Sequence, residues 1–179
     1  MAVEAAGIDI ASLVLRVSVG GTLIAHGWNH AFGGGRIEGT AGWFESMGLR
    51  PGRLHALMAT GTELGAGVLL VLGLLTPLAA AGAVGTMAVA FVTAHLRNGF
   101  FIFRPGQGYE YVVMIMMVAC AAGALGGGAL SLDRALGIED DLAGWTGLAL
   151  TALAGGAGAA LLLAAFWRPG RRPAGAPED

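Results

Sequence analysis

The chain has 179 residues, 55% of them hydrophobic and 12% charged, with a net charge of −2 and a mean hydropathy of +0.70. That composition belongs to a polytopic membrane protein, excludes an ordinary soluble domain, and offers no basic surface for a nucleic acid. The single cysteine, Cys120, rules out an internal disulfide, a Cys-x-x-Cys redox pair and a thiolate metal centre within one chain.

Five transmembrane helices are predicted, at about 8–32, 54–75, 78–96, 109–125 and 142–167. These are apolar runs of roughly the length that crosses a bilayer at about 1.5 Å per residue. The start, MAVEAAGID, is acidic where a secretory signal would be positive, so no cleaved leader is expected. The first span carries Arg16, His26 and His30 and ends at the glycines 33–35. Residues 40–47 then predict a short interfacial helix with Trp43, Phe44 and Met47 on its apolar side. The second span opens with His55 and holds Glu63, flanked by Gly61 and Gly65 at a spacing that lets a neighbouring helix come close. Thr76-Pro77 predicts a tight turn into the third span, because proline suits a helix start and cannot continue one. His95 and Asn98 close that span, and RNGFFIFRPGQG reads as a loop. Tyr109, Glu110 and Tyr111 open the fourth span. Residues 126–141 read as an acidic linker. Trp145 and Trp167 bracket the fifth span about 33 Å apart as helix, one aromatic anchor for each face of the membrane. The tail 168–179 is polar and proline-rich, and is expected to be disordered.

Arginine supplies all ten basic residues. With five spans, the side bearing the N-terminus, the 76–77 turn and the 126–141 linker carries Arg134 alone. The opposite side carries Arg36, Arg50, Arg53, Arg97, Arg104, Arg168, Arg171 and Arg172. The positive-inside rule then places the N-terminus outside and the C-terminus in the cytoplasm, as expected for a multi-pass protein of a bacterial inner membrane.

The same topology gathers polar residues at the cytoplasmic ends of the first four spans. His26 and His30 share one helix face, being four residues apart. Glu63 lies about two turns inside its span, where a carboxylate costs a few kcal/mol unless it meets a partner, a cavity or a ligand. Arg16 lies in the outer half, and an Arg16–Glu63 pair would neutralise both. Each feature also has a structural reading. Histidines near helix ends meet headgroups cheaply, Glu110 complements a helix dipole, and the tyrosines suit an aromatic belt. Histidine, tyrosine and carboxylate together suit quinone chemistry, in which imidazole and phenol bond the carbonyl oxygens and a carboxylate handles protons. Two histidines on different helices are also a haem ligand pair, and a His/Glu set is a metal ligand set. No phosphate loop, zinc spacing, nucleophile elbow or dinucleotide fingerprint is present.

Four motifs in order, LVLRVSVGGTLIAHGWNHAFGG, FESMGLRPGRLHALMATGTELGAGVLLVLGLLTPLAA, AHLRNGFF and GYEYVVMIMMVACAAGALGGGALSLD, resemble the DoxX family of small membrane proteins. The resemblance runs from Leu13 to Asp133. His30 departs from the lysine expected there in many members. The resemblance implies a four-helix transmembrane unit, 8–133, with the fifth helix at 142–167 and the tail outside it. It also implies relatives of the small membrane subunit of thiosulfate:quinone oxidoreductase, and a soluble oxidoreductase or sulfurtransferase partner. The family residues that carry over are His26, Gly27, Glu63, Gly65, His95, Asn98, Gly99 and Tyr109 to Tyr111.

The expectation is an all-α membrane protein acting as the membrane subunit of an oxidoreductase system, with a quinone or similar redox carrier near the cytoplasmic face. Glu63, His26, His95 and Glu110 would be the reactive lining, and His30, Tyr109, Tyr111, Asn98 and Arg16 would hold the carrier. No metal site is expected, and haem is the second cofactor considered. The alternatives are a non-catalytic scaffold that anchors soluble redox enzymes, and a small proton- or cation-linked transporter. A transporter would need a homo-oligomer, for which Gly155, Gly156 and Gly158 offer a packing face.

Overall fold

The computed structural model describes residues 2–169, with side chains from residue 5 onward, and is helical throughout its long elements. Helix α1 spans Ala2–Phe32, α2 Arg36–Ser46, α3 Gly52–Leu72, α4 Thr76–Ala90, α5 Glu110–Leu125, α6 Leu132–Ala135, α7 Gly144–Ala149 and α8 Gly155–Phe166. Helix α4 runs on through a wide π-helical turn, Phe91–His95, and a tight 3-10 turn, Leu96–Asn98. A second wide turn, Leu150–Ala154, joins α7 to α8 into one rod. Four helical segments are long and apolar enough to cross a membrane: Ala5–Phe32, Gly52–Leu72, Thr76–Asn98 and Gly144–Phe166. The remaining span, α5, has 16 residues. That is about 24 Å of helix, short of a ~30 Å hydrocarbon layer. Breakers in the preceding loop, Pro105, Gly106 and Gly108, delay its start.

The sequence sets these boundaries locally. Gly73, at φ 65°, caps α3 in the left-handed conformation that spares glycine a Cβ clash. Pro77 then occupies the first turn of α4, where its missing N–H is no loss.

Packing inverts the soluble pattern. Helices α1, α3, α4 and α5 form the bundle, and their buried contacts are dominated by small or branched residues, among them Val19, Ala66, Ala79, Ala80, Ala83, Val112 and Ala119. The large apolar side chains face outward, as for Met117, Leu153 and Leu161. Outward-facing leucine against lipid costs nothing, so helices associate through close backbone approach instead. Gly20 and Gly67 supply it: a Cβ on Gly20 would lie 2.6 Å from the Gly67 carbonyl oxygen. Gly61 and Gly65 do not act in this way. Both face open space, because the α1 contact runs along the Gly67 face of α3. In α8, Gly155 is spent inside the chain against Ala81 and Val84 of α4, whereas Gly156 is open.

At one end of the bundle, Arg16 is fully buried and far from the expected partner. Its guanidinium donates to the carbonyl oxygens of Leu70 (3.0 Å), Val71 (3.3 Å) and Leu130 (2.8 Å), and its Nε reaches Ser12 Oγ at 3.4 Å. No Arg16–Glu63 pair forms, because the exposed last carbonyls of α3 satisfy the cation. Asp133, also fully buried, completes this knot. Its carboxylate accepts from the backbone N–H groups of Leu75 (2.7 Å) and Thr76 (3.0 Å) and from the Thr76 hydroxyl (2.7 Å). Segment 126–141 is therefore a structural plug that seals the α3–α4 turn, rather than a linker.

The α7–α8 rod packs on α4 and α5. Its far end is stitched to the α2–α3 connection: Arg168 N–H donates to Gly48 O (2.8 Å), Arg50 N–H to Phe166 O (3.3 Å), and the Trp167 indole to Met47 O (3.0 Å). Trp167 thus serves as an internal tie. Of the tail expected to be disordered, 168–179, Arg168 is held by this stitch, and residues 170–179 lie outside the described residues.

Replacing Arg16 with methionine should leave Asp133 and several buried carbonyls uncompensated, at a cost of about 3–5 kcal/mol. Thermal unfolding in mild detergent should show a marked fall in the melting temperature, and an unchanged melt would contradict a structural role for this cation.

Candidate functional site

A cavity of about 450 Å³ opens among α1, α2, α3, α4 and α8, with its polar lining at the end of the bundle away from Arg16. Its walls follow helical stripes. Along α3 they are His55, Met58, Ala59, Thr62 and Glu63, one face at i, i+3, i+4, i+7 and i+8. Along α4 they run from Leu78 through Gly82, Gly85, Val89 and Thr93 to His95. That is about 25 Å of helix. Gly155, Gly158, Ala159 and Leu162 of α8 close one side. Trp43, Phe44 and Met47 of α2, with Leu49 after it, cover the end. The result is a long apolar slot with one polar end.

All four histidines of the chain line this cavity, together with Glu63 and Tyr111. Glu63 is 2% exposed, and its Oε2 lies 3.0 Å from His30 Nδ1. The two atoms meet at ion-pair distance without the alignment of a hydrogen bond, and neither has another protein partner. Gly27 makes room for this pair, since a Cβ there would lie 3.1 Å from Glu63 Cβ and 2.9 Å from Leu64 Cγ. His26, four residues before His30, is exposed at the cavity rim.

His95 is held on both sides. Its Nδ1 lies 2.9 Å from the Gln107 carbonyl oxygen and its Nε2 2.9 Å from the Tyr111 hydroxyl. A carbonyl oxygen only accepts, so Nδ1 carries the proton. In the neutral ring, Nε2 then accepts from Tyr111. Asn98 sets this up from behind, donating to the carbonyls of Ala94 (2.9 Å), Gly106 (2.6 Å) and Gln107 (3.1 Å).

Four of the expected site residues lie off the cavity. Glu110 accepts from the Ile102 N–H at 3.0 Å and pins the α4–α5 loop. Tyr109 packs edge-on against Phe91 and Phe100. Asn98 acts behind His95, and Arg16 belongs to the knot at the other end. His26, His30, Glu63, His95 and Tyr111 do share the cavity. His95 has both ring nitrogens engaged by the protein, which leaves none for iron. Among the described residues, no group of three or more His, Cys, Asp or Glu is arranged to hold a metal ion.

One residue was left out of the expected site. His55 is 3% exposed, stands edge-on to Phe166 with ring centroids 5.0 Å apart, and among the described residues neither ring nitrogen has a hydrogen-bond partner. Its signal was its place eight residues before Glu63, on the same helix face.

The DoxX family model matches residues 11–96, from the start of the apolar part of α1 to the 3-10 turn that ends the third span. Asn98, Tyr109, Glu110 and Tyr111 lie beyond the match. No curated protein and no solved structure matches the chain.

Nitrogen-15 spectra of histidine-labelled protein should show neutral His95 as the Nδ1–H tautomer, the minor form of the free histidine side chain. Asn98→Ala should loosen the Gln107 carbonyl and let the Nε2–H form appear. An Nε2–H tautomer in the unaltered protein would refute this geometry.

Proposed function

The chain belongs to the DoxX family through residues 11–96, and on that premise we propose that this multi-pass membrane protein is the membrane subunit of an oxidoreductase system, with the cavity as its site for a quinone-type redox carrier. The observation that carries this reading is the shape of the site: a slot that is apolar along about 25 Å of α4 and ends in four imidazoles, a phenol and a buried carboxylate. A long-chain amphiphile with a hydrogen-bonding head matches that polarity. The orphaned nitrogens of His55 and the unaligned Glu63–His30 contact are buried polar atoms that a bound head group would satisfy. A quinone, when bound, supplies two-electron, two-proton carrier chemistry. The protein's part is to seat the head, exclude bulk water with α2, and hold protons. Glu63 and His30 hold one between them, and His26 at the rim links that pair to solvent. His95 and Tyr111 offer a second proton-holding pair whose direction is fixed by Gln107.

This reading places the arginine-rich end in the cytoplasm of a bacterial cell, with the N-terminus outside, by the asymmetry of Arg36, Arg50, Arg53, Arg97, Arg104 and Arg168 against Arg134. All of these arginines are exposed. They favour a second reading, a scaffold that docks an acidic face of a soluble oxidoreductase or sulfurtransferase-type enzyme beside the cavity mouth.

Glu63→Gln keeps the shape but removes the titrating group, so quinone-linked electron transfer should fall by about 10²-fold or more, with membrane insertion intact. Activity equal to the unaltered protein would defeat the quinone reading and leave the scaffold. A fluorescent-protein fusion at residue 179 should glow in cells. An alkaline phosphatase fusion active at that position would reverse the orientation.

A further inference from the structure

The polar end of the cavity has an unusual charge pattern. The chain has ten arginines and no lysine, yet among the described residues no arginine lines the cavity. The charged groups at its polar end are Glu63 and whichever imidazoles are protonated. A phosphate head would meet a buried carboxylate there without the guanidinium forks that normally recognise it. The head that fits is uncharged and offers oxygen atoms to imidazole N–H groups.

Among the imidazoles, His55 is the one left free to bind. His95 is committed to Gln107 and Tyr111. His30 is committed to Glu63. His26 is exposed and can bond to water. His55 is buried at 3% exposure, its ring plane is set by the edge-on contact with Phe166 of α8, and among the described residues neither ring nitrogen has a hydrogen-bond partner. A buried imidazole with no partner costs free energy that a ligand recovers on binding. The Phe166 contact is itself fixed by the stitch between α8 and residues 47–50. The fifth helix therefore helps to orient His55, although it lies outside the DoxX match.

We propose that His55 is the anchor of the cavity's ligand: its ring N–H donates to an oxygen of an uncharged head group, the tail lies along α4 between α3 and α8, and anionic phospholipids are refused. The proposal rests on the carrier-site reading above and adds to it the residue that binds the head and the class of head that is bound.

The test is binding, measured with decylubiquinone and, separately, phosphatidylglycerol, on the full chain in zwitterionic nanodiscs. Tryptophan quenching reports occupancy, since Trp43 lines the site. His55→Leu should weaken decylubiquinone binding about tenfold, the value of one buried hydrogen bond. His55→Gln, which keeps a donor, should recover much of it, and Asp140→Asn, exposed in the 126–141 segment, should change nothing. In the unaltered protein, the nitrogen-15 resonances of His55 should shift on adding decylubiquinone and stay still with phosphatidylglycerol, a readout that needs no variant to fold. Equal quinone binding by the unaltered protein and His55→Leu, with no shift at His55, would overturn the anchor role and leave the cavity reading standing. Binding of phosphatidylglycerol in competition with the quinone would overturn the uncharged-head class. No quinone binding by the unaltered protein would remove both this proposal and the reading beneath it.

Discussion

A guanidinium inside a lipid-facing bundle has to find acceptors within the protein, and Arg16 finds them at the end of α3. Its bonds to Leu70, Val71 and Leu130 tie α1 to the α3–α4 turn and to the segment after α5. Asp133 answers from the other side by taking the first free N–H groups of α4. Carbonyls at a helix C-terminus and amides at a helix N-terminus are the backbone groups a helix cannot satisfy itself. One cation and one anion do it for two helices at once. The knot closes one end of the bundle, and the histidines of the cavity gather toward the other.

The opposite end is built on the contrary principle. Glu63 is nearly as buried as the knot residues, but among the described residues its Oε2 meets only His30, off the line of a hydrogen bond. Neither ring nitrogen of His55 has a hydrogen-bond partner among the described residues. Buried polar groups in native proteins are nearly always satisfied, and those that are not concentrate where a ligand completes them. The contrast between a saturated end and an unsaturated end within one small bundle is what gives the cavity a functional meaning.

The fifth helix changes character in three dimensions. It supplies one wall of the cavity, and its last residues pair with the connection between α2 and α3. Gly48 allows that pairing, since a Cβ at its φ of 92° would lie 2.6 Å from the Arg168 carbonyl oxygen. The lid helix α2, the polar start of α3 and the end of α8 are thus one continuous polar seam around the mouth of the slot.

Hydropathy and helix punctuation were enough to place the spans to within a few residues, because lipid imposes length and internal hydrogen bonding on any chain that crosses it. The depth of Glu63 and the common face of His26 and His30 were legible for the same reason: helical period and burial cost are local properties. Which polar groups meet was not legible. Arg16 and Glu63 lie at compatible depths, yet the free carbonyls of α3 outcompeted the carboxylate, and no spacing rule announces where a helix end will present its acceptors. Asp133 looked like linker charge until the chain folded back on the 73–76 turn. His55 stood on the Glu63 face in plain view, but that its nitrogens remain unclaimed is a property of its neighbours on α1, α2 and α8. The sequence by itself determined the helices, their order and their polar content. Only the tertiary structure decided which polar residues were consumed in holding the bundle together and which were left to bind, because satisfaction of a buried group depends on what surrounds it in space.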